Sequence, residues 1–143
     1  MKRYTVGFIF NPDFSQVLLV HKNRPDWQVG RLNGCGGKIE ANESDVEAMV
    51  RECLEETGLE IATSEWVTSC TTSAPDWEVE FFGAVWTGEL SAAKTMTDEE
   101  IAWYPTAPLP DHVIVNLRWL VPMAANKLQA VDALEAATVH YSA

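Results

Sequence analysis

The chain of 143 residues carries 10 basic and 21 acidic side chains, so its formal charge is −11, and 47% of its residues are hydrophobic. This length and composition predict one globular domain over residues 1–143 and exclude a disordered or low-complexity chain. The negative charge disfavours binding to duplex nucleic acid or to an anionic membrane surface, because both need clustered Lys and Arg.

Cysteine usage and hydropathy predict the compartment. The three cysteines form no CxxC pair, and no apolar run approaches the roughly 20 residues that cross a bilayer. We therefore expect a reduced, cytoplasmic protein with no membrane segment. Either a monomer or a homodimer is compatible with these features.

The first elements are a hairpin and a helix. Residues 4–10 and 16–21 have strand composition and flank a turn at 11–13, whereas 23–37 has the Gly and Pro content of a loop with short irregular strand. A helix is predicted over 44–57, because Ser44 and Glu47 form a capping box and Gly58 can end it. Its predicted apolar stripe consists of Val46, Met49, Val50, Cys53 and Leu54.

Strands and one further helix are predicted after Gly58. Residues 61–72, 77–87 and 99–104 have strand composition. A second helix follows the turn at 108–111, and we expect Pro122 to bend or end it. Residues 123–137 contain helix formers, while 138–143 is ambiguous. Because there is no regular strand–helix alternation, the predicted class is α/β with a mixed sheet.

Three carboxylates share one face of the first predicted helix. Counted from Glu52, the other two are Glu55 at i+3 and Glu56 at i+4. Among nearby helical positions only Arg51 offsets the repulsion between these carboxylates. A divalent cation resolves this repulsion, and hard oxygen ligands suit Mg²⁺ or Mn²⁺. The alternative is a solvated acidic face without a ligand.

A longer pattern surrounds these carboxylates, of the form G-x5-E-x7-R-E-U-x-E-E-x-G-U, where U is a bulky apolar residue. Its members are Gly37, Glu43, Arg51, Glu52, Glu55, Glu56 and Gly58, with Leu59 at the second U position. The pattern resembles the Nudix box, with Cys53 at the first U position, where Leu, Ile or Val is usual. The resemblance implies an α/β/α sandwich that hydrolyses a nucleoside diphosphate linked to another group, with Mg²⁺ or Mn²⁺ as cofactor.

The same resemblance implies roles for individual residues. Glu52, Glu55 and Glu56 would hold the metal and act in catalysis with Arg51, and Glu55 or Glu56 would orient the attacking water. Gly37 would let the backbone approach metal and phosphates. A later loop would add an acidic ligand, for which Glu99 and Glu100 are preferred to Asp98, although a polar loop before a strand is the plain alternative. We expect Glu43 to pair with Arg51 structurally.

Four polar residues are candidates for substrate binding. Lys22 and Lys38 can contact phosphates, although exposed lysines are usually only solvated. Residues 30–38 resemble the segment before the box in oxidised-purine nucleoside triphosphatases, where an asparagine contacts the base, so Asn33 is a candidate base reader. Asn33 can equally be a left-handed turn residue. Leu32 and Cys35 replace a tryptophan and a phenylalanine of that segment. Asn116 can face the pocket or cap a neighbour, and Trp27 can stack on a base or lie in the core.

The predicted function is therefore a hydrolase acting on phosphorus anhydrides. The leading substrate is a nucleoside triphosphate, such as the oxidised purine 8-oxo-dGTP, cut to monophosphate and pyrophosphate. An ADP-ribose or nucleotide-sugar pyrophosphatase is the alternative within the family, since Pro75 lies about where such members often carry a proline. An alternative of another class is a nucleotide-binding sensor without hydrolysis.

Overall fold

The computed structural model describes residues 1–130 and 132–142. Within them the strands are β1 Lys2–Phe10, β2 Gln16–His21, β3 Leu32–Asn33, β4 Cys35–Lys38, β5 Val67–Ala74, β6 Trp77–Val85, β7 Ile101–Pro105 and β8 Ala137–His140. The helices are α1 Asp45–Thr57 and α2 Leu117–Gln129, and short 3₁₀ helices lie at Asp26–Gln28, Thr63–Glu65 and Leu90–Ala92. None of the described helices is long and apolar enough to span a membrane.

The strands form one mixed sheet around β1. Its order is β3-β2-β1-β6-β5-β8, while β4 also pairs with β1 and β7 with β2. The pairs β1–β6 and β5–β8 are parallel, and the other pairs are antiparallel. The predicted mixed sheet of an α/β protein is confirmed.

Alternation along β1 divides the core into two layers, because successive side chains of a strand point to opposite faces. Phe8 and Phe10 pack in the layer that holds the buried residues of α2. Ile9 packs with Met49 and Cys53 of α1 in the other layer. The two helices therefore cover opposite faces of the sheet, and this is the expected α/β/α sandwich.

Helix α1 follows its predicted limits closely. The Ser44 side chain accepts from the Glu47 N–H, the Glu47 carboxylate accepts from the Ser44 N–H, and Gly58 ends the helix with φ 73°. The predicted apolar stripe is wrong at Leu54, whose side chain is 48% exposed. Glu56 is buried instead, because it lies three residues after the buried Cys53 and thus on the same side of the helix.

Predicted boundaries are wrong mainly where a buried loop resembles a strand. Ile61 is buried, yet β5 begins only at Val67, after the 3₁₀ helix at Thr63–Glu65. Strand β7 begins only at Ile101, and the preceding Glu99 side chain accepts from the Asn23 N–H of another loop. Apolar composition reports burial, and burial alone does not distinguish a strand from a packed loop.

Helix α2 departs most from prediction. It begins at Leu117 and continues through Pro122 to Gln129. Pro122 removes one backbone hydrogen bond, but its neighbours Leu120 and Val121 are fully buried and hold the turn in place. Before the helix, Ile114 is not helical: its N–H bonds to the Leu32 carbonyl at 3.0 Å. The predicted run of helix formers to residue 137 ends at Gln129, and the ambiguous tail includes β8.

Candidate active site

Arg51 organises two carboxylates of α1, the half-buried Glu52 and the exposed Glu55. Its Nη1 lies 2.9 Å from Oε1 of Glu52 and 3.4 Å from Oε2 of Glu55. These two glutamates and Glu56 form what we call the acidic face. The guanidinium offsets the like-charge repulsion that the sequence predicted for this face.

A second pair of bonds holds Arg51 to the loop before α1. Nε donates to Glu43 Oε2 at 2.7 Å and Nη2 to Glu43 Oε1 at 2.9 Å, which is the bidentate geometry of guanidinium and carboxylate. These hydrogen bonds from Arg51 lower the pKa of Glu43 to about 2. Nη2 also donates to the Lys38 carbonyl at 3.1 Å. The expected Glu43–Arg51 pairing is thus present, and it ties β4 to the helix.

Glu56 is the buried member of the acidic face. Its Oε1 accepts a hydrogen bond of 2.6 Å from the Gly36 N–H. Burial raises the pKa of Glu56 to about 7, against the lowering effects of that N–H and of the Lys22 charge. Such a carboxyl is part protonated and part ionised at neutral pH, as suits a general base.

Gly36 and Gly37 allow β4 to lie closely between β1 and the acidic face. A Cβ on Gly37 would lie 2.5 Å from Glu52 Oε1, and one on Gly36 would lie 1.9 Å from the Thr5 carbonyl oxygen. A Cβ at Gly36 would push β4 away from the β1 backbone, so glycine is required there. A Cβ at Gly37 would displace the Glu52 carboxylate, the end of a flexible side chain.

The later-loop acids differ sharply in their surroundings. Glu99 is buried; its Oε1 is 3.1 Å from Lys22 Nζ, and its Oε2 accepts from the N–H groups of Asn23 at 2.6 Å and Arg24 at 3.3 Å. Burial acts to raise the pKa of Glu99, but these N–H groups and Lys22 lower it overall. Glu100 is exposed, and so is Asp98, which pairs with Arg24. Of the three, Glu99 is the one whose charge reaches Glu56.

The carboxylates fit a divalent cation by their chemistry. The described residues contain no three Asp, Glu, His or Cys side chains grouped as a metal centre. Glu52 and Glu55 are bonded to Arg51, and Glu56 to Gly36. The donor set nevertheless consists of hard oxygens, which Mg²⁺ and Mn²⁺ prefer. The bare backbone of Gly37 lies directly against the Glu52 carboxylate. A cation would be held here once these side chains turn from their present partners.

A cavity of about 850 Å³ lies on the α2 face of the sheet. Its floor includes Tyr4, Val6, Val79 and Phe81, from β1 and β6. Gly36, Gly37, Lys22 and Lys38 also line it. Strand β4 thus separates the cavity from the acidic face and contacts both.

Asn33 lines this cavity from β3. Its Nδ2 donates to Gln28 Oε1 at 3.2 Å, and its Oδ1 accepts from the Gly34 N–H at 2.8 Å. The alternative of a left-handed turn is wrong, because among the described non-glycine residues only Phe14 and Asn42 have positive φ.

The other predicted substrate residues also line the cavity, and they differ in burial and in their hydrogen-bond partners. Asn116 lies at the start of α2, half-buried and without a capping hydrogen bond from its side chain. Lys22 is engaged by Glu99, whereas Lys38 is exposed at the end of β4. Trp27 is 66% exposed on the cavity rim, so it is not a core residue. Sequence reasoning missed Gln28, because a single polar residue in a Pro- and Gly-rich loop carries no distinguishing signal.

Comparisons with known proteins agree with this geometry. The model of the NUDIX domain matches residues 1–133. CTP pyrophosphohydrolase of Escherichia coli (strain K12) is 33% identical over 101 residues, which are 65% of this chain and 75% of the relative. A Bacillus subtilis (strain 168) protein named "Putative 8-oxo-dGTP diphosphatase" is 32% identical over 135 residues, 90% of this chain and 85% of the relative. A solved MutT structure, from work on Aliivibrio salmonicida and Vibrio cholerae, has a TM-score of 0.71 at 26% identity, covering 87% of this chain and 98% of its own.

Proposed function

This chain belongs to the Nudix family, and on that premise we propose that it is a divalent-cation-dependent hydrolase of nucleoside triphosphates. The family and the enzyme class predicted from the sequence are confirmed. The proposed reaction adds water to a pyrophosphate bond and releases a nucleoside monophosphate and pyrophosphate.

One observation carries the proposal: the buried Glu56 carboxyl accepts from a backbone N–H of the strand that lines the cavity. Gly36 donates to Glu56 and also lines the cavity with Gly37. A polyphosphate lying along β4 would therefore reach a proton acceptor, the acidic face and two glycines without side chains. Positioning and charge neutralisation are what phosphoryl transfer chiefly needs.

The residues take the following roles in the proposed reaction. Glu56, which bonds to the Gly36 N–H beside the cavity, accepts the proton of the attacking water, and Glu55 is the second candidate for that role. Lys38 contacts the phosphates. Lys22, which is paired with Glu99, also contacts them. Arg51 positions Glu52 and Glu55. A bound divalent cation, held by the acidic face with Glu99 and the Gly37 backbone, would supply positive charge to the phosphate oxygens and acidify water. Glu100 is exposed and is not assigned a ligand role.

The proposed substrate is a purine nucleoside triphosphate, with an oxidised purine preferred. Two of the relatives are named for triphosphates, CTP and 8-oxo-dGTP, and the second of these carries an oxidised purine. The Asn33 and Asn116 amides at the cavity carry donors and acceptors of the kind that read a purine edge. Trp27 at the rim offers a face for stacking. Pro75, which suggested ADP-ribose, is exposed in the β5–β6 turn and does not line the cavity.

A substrate panel tests the proposal. The purified protein is incubated with ordinary and oxidised nucleoside triphosphates, ADP-ribose, a dinucleoside polyphosphate and a nucleotide sugar, with Mg²⁺, with Mn²⁺ or with EDTA. We expect cation-dependent release of monophosphate and pyrophosphate, led in kcat/KM by an oxidised purine triphosphate. ADP-ribose leading the panel would favour the pyrophosphatase alternative. Binding of nucleotides without any product would favour a sensor.

A further inference from the structure

Gln28 holds the Asn33 amide in one orientation. The Gln28 side-chain oxygen accepts from Asn33 Nδ2 at 3.2 Å, while the Gly34 N–H donates to Asn33 Oδ1 at 2.8 Å. Turning the amide over would place two donors together at Gly34 and two acceptors together at Gln28. If Asn33 alone turned over, both hydrogen bonds would be lost. The Gly34 N–H is always a donor and therefore selects this orientation, and the Gln28 oxygen supports it.

The backbone of Gln28 is itself fixed. Gln28 closes the 3₁₀ helix Asp26–Gln28, where its N–H donates to the Pro25 carbonyl at 2.8 Å and its own carbonyl accepts from the Arg31 N–H at 2.9 Å. The residue is half-buried and lines the cavity. Because the backbone is already fixed, only side-chain rotamer entropy is lost when Gln28 bonds to Asn33. Gln28 is therefore well placed to orient its neighbour.

A fixed amide at this point distinguishes between purines. With one acceptor and one donor already engaged, Asn33 retains one lone pair and one N–H. An 8-oxopurine of guanine type carries a hydrogen on N7 beside the O6 acceptor, so it pairs with that lone pair and that N–H. Ordinary guanine has acceptors at both N7 and O6, so one of its acceptors would face the Asn33 oxygen. A freely turning amide would relieve that repulsion.

We propose that Gln28 is a positioning residue that sets the selectivity between oxidised and ordinary guanine nucleotides by fixing the Asn33 amide. This inference rests on the proposed function of the same cavity. It assigns no contact between Gln28 and the reacting atoms. The selectivity would arise through the Asn33 orientation alone.

Two substitutions separate this role from a structural one. Gln28→Met keeps the length of the side chain and removes the acceptor, whereas Gln28→Glu keeps an acceptor for Asn33 Nδ2. We expect Gln28→Met to lower the ratio of kcat/KM for 8-oxo-dGTP over dGTP roughly two- to tenfold, as loss of one neutral hydrogen bond predicts. Gln28→Glu should retain the wild-type ratio, because the charge it adds acts equally on both nucleotides. Val29→Ala, an exposed change just after the same turn, is the matched control.

Binding measurements keep this test distinct from the test of activity. The dissociation constants of 8-oxo-dGMP and dGMP are measured by calorimetry without metal, for the wild type and the same variants. An unchanged ratio in Gln28→Met, an equal loss in Gln28→Glu, or a wild type that binds both monophosphates equally would overturn the positioning role. A wild type that discriminates between the monophosphates, loses this in Gln28→Met and hydrolyses no triphosphate would support the role and overturn the proposed function.

Discussion

The acidic face and the cavity lie on two sides of β4 and are assembled in different ways. The acidic face comes from a single helix, with Arg51 and three glutamates inside six consecutive residues. The cavity collects Tyr4 from β1, Asn33 from β3, Phe81 from β6 and Asn116 from the start of α2. The face thus depends on local helical geometry, whereas the cavity depends on correct packing of the whole sheet. A substitution in the acidic face should therefore change the rate of hydrolysis, whereas one in the cavity should change the preference between nucleotides. The following experiments test that separation.

The largest effect is expected for Glu56→Gln. The amide cannot accept a proton, so kcat should fall on the order of 100-fold or more for every substrate alike. The relative preference between nucleotides should remain, because the cavity is untouched. Steady-state kinetics on two triphosphates measures both quantities. Glu60→Gln, an exposed acid just beyond α1, is the matched control; a changed preference in Glu56→Gln would contradict the separation.

The second effect is a pH dependence of stability without divalent cations. Glu56 has a pKa of about 7 in the folded protein against an ordinary value of 4.5. The folded state therefore holds this proton where the unfolded chain has lost it. The free energy of unfolding should fall as pH rises from about 4.5 to about 7, by about 3 kcal/mol in total from this group. Above that range this contribution is constant.

Urea unfolding in EDTA at pH 5.5 and pH 8 measures this effect. Glu56→Gln should lose this share of the pH dependence and be more stable than the wild type at pH 8. The Glu60→Gln control should retain the wild-type slope. An identical slope in Glu56→Gln would show that the buried carboxyl is not the group that titrates.

The cavity side should give a smaller and selective effect. Asn33→Ala should lower the preference for an oxidised purine triphosphate by on the order of tenfold in kcat/KM, with little change for the ordinary nucleotide. Competition assays with paired nucleotides measure the preference directly. Asn126→Ala, on α2 outside this cavity, is the matched control. An equal loss for both nucleotides would instead indicate damage to the sheet.

The smallest effect is expected for Arg51→Lys. Lysine keeps the charge but cannot make the bidentate contact with Glu43, so we expect a loss of about 1 kcal/mol in unfolding free energy. Thermal denaturation should show a midpoint lower by roughly 2–6 °C. Arg31→Lys, at an exposed position outside the cavity, should leave the midpoint unchanged. No shift in Arg51→Lys would show that solvent screens this pair.

Local rules predicted the fold well where they act within one element. Ser44, Glu47 and Gly58 fix the limits of α1 by hydrogen bonds inside the helix and by one left-handed residue, and these follow directly from residue type. Pro122 shows the opposite case. The local rule predicts a break, yet the burial of Leu120 and Val121 outweighs the missing hydrogen bond. Tertiary packing of this kind is not visible in a single sequence.

The site was predicted in the same uneven way. Spacing on one helix brought Glu52, Glu55 and Glu56 together as candidates, whereas the burial that raises the pKa of Glu56 depends on the packing of β4 against α1. The family resemblance predicted Asn33. Its contact with Gln28 depends on how the loop packs, and the sequence did not predict it. Residue type shows what a side chain can bond to, but its actual partners depend on the folded geometry.

The hydrogen bonds of Glu99 allow cation binding to be detected at backbone amides of the loop before β3. The Glu99 carboxylate accepts from the backbone N–H groups of Asn23 and Arg24, at the start of the segment that carries Gln28. A cation that recruits Glu99 takes away these acceptors and leaves both amides to water. Amide hydrogen exchange at residues 23 and 24 should then accelerate on adding Mg²⁺, even as the protein as a whole becomes more stable. The start of this loop would thus lose protection when the acidic face binds a cation, while Gln28 keeps its backbone bonds to Pro25 and Arg31.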